Sequence, residues 1–323
     1  MVFLRAFPFS LSILWRFVVA LPGLIIALLA FGFLAGILLF ISSLISPFIA
    51  MLFAIAFGVG ASVVPVMVGL RVGLQSFHIK PRINYLGMMK PAIGYGLFEA
   101  VVILILLAGC AAIFMFATSF DPQSFLAMDL TDEDALMAEL TAVSPVLTWG
   151  LLGFLGLATF ALRSALLVPF AGASVGMDPS GRPHTPFYGF GSGFGSIFAL
   201  VLLSQLGLTF AVPLAIIGFE MAGLAQSVMM DISVLPTIGE FADLAKLSPY
   251  FWAFIGVTLL LFLFFFSLQC AGAVLVYMGT RGLYGARQEA FDEVMREEEE
   301  RDQPMENTDL RELLRSRMPD KKY

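Results

Sequence analysis

The sequence predicts an all-α, polytopic membrane protein with six transmembrane helices arranged as three helical hairpins. Three observations carry that prediction. Of 323 residues, 59% are apolar and only 13% charged, against about 25% charged in an ordinary soluble domain, and the mean hydropathy is +0.92. The apolar residues gather into stretches near the roughly 20 residues that cross a hydrocarbon core ~30 Å thick. Serine-proline pairs recur at Ser46-Pro47, Ser144-Pro145 and Ser248-Pro249, each just ahead of such a stretch.

The six predicted spans are about 17–42, 47–70, 97–118, 146–170, 197–219 and 250–278. The first is too long to be a cleaved signal segment, whose apolar region covers roughly 7–15 residues, so it is expected to be retained. Only Ile41 to Ser46 separate it from the second span. Both cysteines, Cys110 and Cys270, fall inside apolar runs, where they act as small hydrophobes.

Charge placement orients the spans. Arg5, Arg16, Arg71, Lys80, Arg82, Lys90, Arg163, Arg182 and Arg281 all fall on one side of a six-span chain. The other side carries Asp121, Asp129, Asp132, Glu133, Asp134, Glu139, Glu220, Asp231, Glu240 and Asp243, with Lys246 as its one base. Because basic residues stay on the cytoplasmic side, both termini are expected there, and the pattern suits a bacterial inner membrane.

The serine-proline pairs belong to a wider self-similarity. Serine at the N-cap and proline in the first helical position make a helix start. The three helices that follow end alike, with Gly69, Gly172 and Gly279 aligned and Arg71, Ser174 and Arg281 two positions later. Pro91-Ala-Ile-Gly94-Tyr95-Gly96 also matches Pro186-Phe-Tyr-Gly189-Phe190-Gly191. These matches predict a threefold repeat, with hairpins at about 10–73, 91–176 and 186–283 and a charged cytoplasmic tail at 284–323. The glycine-rich run from Gly189 to Gly195 lacks the GxxxxGK[ST] spacing of a phosphate loop and follows no strand. It is read as a helix start.

Two polar connections on the acidic side have capping-box spacing, Thr131 with Asp134 and Thr237 with Glu240. Each is expected to form a short amphipathic helix before its serine-proline pair. Asp132, Glu133 and Asp134 are consecutive and diverge on a helix, so no calcium site is expected. His78 and His184 lie in separate basic loops without partner ligands, so neither a metal nor another cofactor is expected.

Ionisable residues in or near hydrocarbon are functional suspects. Arg16, Glu99, Arg163, Ser204, Gln205 and Gln269 form the candidate intramembrane polar cluster, with Glu99 pairing Arg163 or Arg16. Their predicted depth is near the cytoplasmic boundary for the charged members. Pro22-Gly23 and Pro213 are candidate breaks in the first and fifth spans. Lys80, Arg82 and Lys90 are placed to meet anionic lipid headgroups. In the tail, Leu310, Leu313, Leu314 and Met318 form an apolar stripe that a partner would cover.

No catalytic motif is present, so no enzyme activity is expected. The leading expectation is a non-catalytic membrane subunit, a scaffold that recruits other membrane-complex subunits through the tail and the outer amphipathic helices. The alternative is a transporter or channel component with a pathway between the hairpins. Membrane lipids are expected partners, nucleic acid is not, and self-association stays open.

Overall fold

The computed structural model describes residues 2–118, 133–235 and 247–302. Their regular elements are helices: α1 (Val2–Ile45), α2 (Pro47–Ser76), α3 (Tyr85–Thr118), α4 (Glu133–Val143), α5 (Pro145–Val175), α6 (Phe194–Met221), α7 (Ala225–Val234) and α8 (Pro249–Asp302). One isolated bridge joins Met177 and Pro183. Six helices, α1, α2, α3, α5, α6 and α8, are long and apolar enough to cross a membrane. The chain divides into two units, Met1–Tyr277 and Met278–Tyr323. The bundle described below is the first; in the second, helix continues to Asp302.

The helices overrun the apolar stretches that announce them. Hydropathy marks only the part that needs hydrocarbon, whereas a helix continues until its backbone is capped or broken. Thus α3 begins at Tyr85, and Lys90 and Pro91 are already helical. α1 has 44 residues, about 66 Å at ~1.5 Å per residue, and among the described residues it holds a candidate span at Val2–Ile26 and a shorter apolar segment at Ala35–Ile45. The expected breaks do not occur: α1 runs through Pro22 and α6 through Pro213.

Ser46 and Ser144 are N-cap residues with extended backbone, followed by proline, but neither hydroxyl caps an amide. At Ser248 the hydroxyl does accept from the Phe251 amide at 3.3 Å. Ser248 is also held by Asp231 of α7, whose carboxylate accepts from both the Ser248 amide and its hydroxyl. The sequence reading missed α7. It is seated by Val228, buried with Ala215 and Phe254. The other predicted outer helix does form ahead of Ser144 as α4, while Thr131, Thr237 and Glu240 lie outside the described residues.

Burial in the first unit is lopsided. Toward the ends of α2 and α5 the core is dense, with Leu70, Leu74, Leu166, Leu167, Phe170, Ile197, Leu200, Leu268 and Tyr277 among its fully buried side chains. Toward the starts of α2, α5 and α8, large apolar residues such as Phe48, Phe53, Val146, Trp149 and Trp252 are exposed. Where the packing is dense, backbones come close. A Cβ on Gly207 of α6 would stand 2.2 Å from the Phe265 ring of α8, and the Ser204 hydroxyl one turn earlier donates to the Phe265 carbonyl at 2.6 Å.

The glycine-rich run leads into α6, with Gly193 as its N-cap, and most of it precedes the helix. Residues 186–193 form successive turns, with positive φ at Phe187, Gly189, Gly191 and Gly193, the backbone region that glycine enters most readily. The Gly191 amide donates to Ala165 of α5 at 3.1 Å, fixing the turns to the dense end. The matched stretch from Pro91 to Gly96 lies inside α3. The two copies of that motif therefore adopt different backbones, because α3 starts upstream of its copy and α6 starts downstream.

Candidate functional site

Where the dense half of the bundle gives way to the open half, α2, α3, α5, α6 and α8 surround a cavity of about 520 Å³. Its polar lining is Ser62, Glu99, Thr159, Arg163, Gln205 and Gln269. Ser62, Glu99, Arg163, Gln205 and Gln269 each stand within one turn of the middle of their span.

Glu99 and Arg163 make an ion pair across α3 and α5, with Arg163 Nε 2.8 Å from Glu99 Oε1 and the carboxylate wholly buried. Another guanidinium nitrogen of Arg163 donates to the Ser62 hydroxyl on α2. Neither oxygen of Glu99 accepts a well-directed hydrogen bond among the described residues. A buried carboxylate is ordinarily saturated with donors, so this one is held by charge and has accepting capacity to spare. The remaining wall is apolar, from Val59, Val66, Ile103, Phe160, Leu208 and Phe266.

The cavity is closed on one side by the dense ends of the helices. Gly58, Val59, Ile103 and Leu208 extend the lining in the other direction, where α5 glycines Gly150, Gly153 and Gly156 meet no neighbour within 4 Å of a built Cβ. The dense packing on the first side forms its seal, and exposed apolar residues dominate the helices on the other.

Two further polar groupings sit in the seal. Arg71 near the end of α2 donates to the Ser174 carbonyl at 3.0 Å and the Ile83 carbonyl at 2.7 Å, and its guanidinium lies 4.3 Å from the centre of the Tyr85 ring. Tyr277 donates to the Met177 carbonyl at 2.8 Å. Beside them Asp178, His184 and Tyr95 form a chain. His184 Nδ1 lies 3.1 Å from Asp178 Oδ1, and its Nε2 lies 3.1 Å from the Tyr95 hydroxyl, which accepts from the Phe187 amide at 3.3 Å. A neutral imidazole with its proton on Nδ1 satisfies both contacts: it donates to Asp178 and accepts from Tyr95. Burial pushes the His184 imidazole below its ordinary range, against the opposing pull of Asp178.

That chain gives His184 two side-chain partners that its place in a basic loop did not announce. The signal available was Asp178-Pro179-Ser180-Gly181, with proline second and glycine fourth, as a turn prefers. The turn closes, Gly181 donating to the Asp178 carbonyl at 2.9 Å, and brings His184 back onto Asp178.

The structure thus gathers Glu99, Arg163, Gln205 and Gln269 around one cavity. Ser204 is buried beside it but is spent on the α6–α8 contact. Arg16 does not join them: Ile13 and Phe17 take the buried face of α1, and Arg16, roughly 100° away from Phe17 on a helix, is exposed. Lys80, Arg82 and Lys90 are exposed, with Arg82 also donating to the Gly181 carbonyl at 3.1 Å. Leu310, Leu313, Leu314 and Met318 lie outside the described residues. No protein-family model, curated protein or solved structure matches this chain, and its function is argued from the site.

Proposed function

We propose that this chain is a multi-pass transport protein whose solute site is the mid-span cavity around Glu99 and Arg163. The single observation that carries the reading is a buried ion pair facing a cavity of about 520 Å³, a size typical of small-molecule sites, which run from about 300 to 1,000 Å³. An ion pair needed only to hold helices together gains nothing from a cavity beside it, whereas a solute site needs both. The sealed side and the loosely walled side are what one state of an alternating pathway requires. The basic residues of the loops support cytoplasmic termini, and in that orientation the seal faces inward. The threefold repeat remains part of this reading. It is supported by the contact of Arg71 with Ser174, two positions that the repeat aligns.

A scaffold role rests on the tail and draws no support from the described residues. The two readings separate on one measurement that needs no knowledge of the solute. With Cys110 and Cys270 replaced by alanine, Thr159→Cys places a thiol in the cavity. A transporter exposes it by turns, so a membrane-impermeant thiol reagent modifies it both in spheroplasts and in inside-out vesicles. Reaction from one face only, or from neither, removes the transport reading.

A further inference from the structure

We infer that the cavity takes a small carboxylate, with an apolar body, together with one proton. The inference rests on the reading of this cavity as a solute site and names the chemistry of the solute.

Among the described residues, Glu99 and Arg163 are the only charged ones lining the cavity. Arg163 lines the cavity and spends Nε on Glu99 and one terminal nitrogen on Ser62, so its other terminal nitrogen is committed to neither. A guanidinium fork matches a carboxylate in plane and in spacing. Val59, Ile103, Phe160, Leu208 and Phe266 offer surface for an apolar body, and Gln205 and Gln269 offer amide donors beside it.

The charge count then fixes the proton. With the cavity empty, one carboxylate balances one guanidinium. An incoming carboxylate makes two anions around one cation, and Glu99 is wholly buried with neither oxygen well bonded. Two carboxylates sharing one site do not both stay ionised, and an unpaired buried charge is expelled or neutralised. The proton comes from solvent and forms an O–H bond on the Glu99 carboxylate; the solute remains ionised on Arg163. Neutral Glu99 thereby gains a donor, and the occupied site keeps the net charge of the empty one. A dianion such as phosphate lacks a second cation here.

The test is calorimetric titration of the full-length protein in mild detergent with benzoate, in two buffers of different ionisation enthalpy. Saturable 1:1 binding with uptake close to one proton is expected, with affinity falling about tenfold per pH unit above neutrality. Glu99→Gln should keep benzoate binding, abolish proton uptake and flatten the pH dependence. Arg163→Gln should abolish binding, with the E99Q/R163Q double variant as the folded control. Saturable binding without proton uptake overturns the inference, as does uptake that persists in Glu99→Gln, or no saturable binding in either wild type or Glu99→Gln. Proton-linked binding with one-sided Thr159→Cys labelling keeps this site and discards transport; two-sided labelling without linkage does the reverse.

Discussion

Arg163 Nε lies 2.8 Å from Oε1 of Glu99, an ion pair between two helices that lines the cavity. Breaking a buried pair from one side leaves a charge without its counterion and costs about 3–5 kcal/mol. The two sides are unequal here. The Glu99 side chain is 0% exposed and that of Arg163 13%, so the arginine left alone reaches water and the glutamate does not. Arg163→Ala should therefore destabilise more than Glu99→Ala. The double variant should cost well below the sum, with a coupling of about 1 kcal/mol or more. Unfolding in graded detergent mixtures measures all three, and additive losses would show that the two residues do not act as a unit.

Two glycines of α6 should respond oppositely to alanine. At Gly207 the added carbon would lie 2.2 Å from Cδ1 of Phe265, an aromatic ring with no flexible end to move aside. Overpacking of that kind costs about 1–3 kcal/mol. At Gly218 no atom lies within 4 Å, so Gly218→Ala should be neutral or stabilising, as helix propensity favours alanine by about 1 kcal/mol. Thermal unfolding in detergent compares them on one helix, and equal losses would deny the close approach of α6 to α8.

The existence and type of the six long helices were legible because the apolar runs announce them, and the polar residues of the cavity were legible as rare exceptions inside those runs. Their meeting was not. Glu99, Arg163, Gln205 and Gln269 belong to four helices, and no local pattern reports which faces converge. Arg16 was misassigned because composition places it near the others, and only burial of Ile13 and Phe17 turns it away. The Asp178–His184–Tyr95 chain needed a turn at one end and a residue 89 positions away at the other, and only the turn was written locally.

His184 should make the sealed side sensitive to acid. Its native pKa lies below its ordinary value, chiefly through burial, with Asp178 opposing. Above the unfolded value of about 6.5 the ring is neutral in both states and the full stability is present. As pH falls below that value the unfolded chain binds the proton first, and stability is lost down to the native pKa. A proton on Nε2 also removes the acceptor for the Tyr95 hydroxyl. Unfolding midpoints from pH 8 to pH 5 should fall in the native protein and fall less steeply in His184→Gln. An unchanged slope in that variant would assign the acid sensitivity elsewhere.

Arg71→Lys should loosen the seal although it keeps the charge. Arg71 bridges α2 to the end of α5 through Ser174 and to the following loop through Ile83, at 3.0 and 2.7 Å, while its flat face covers Tyr85. One ammonium does not reproduce two divergent donors and a planar stack. At least one carbonyl among buried neighbours then loses its donor, at a cost of about 1–3 kcal/mol. Tyr277→Phe removes a separate contact of the same seal, to the Met177 carbonyl, and the two losses share no partner, so they should add to within about 0.5 kcal/mol. Amide hydrogen exchange reads the result directly. The Arg82 amide, which donates to the Val175 carbonyl at 2.8 Å, should exchange faster in Arg71→Lys, while amides around Val228 in α7 should keep their rate. Protection unchanged at Arg82 would show that Arg71 does not hold the closed end together.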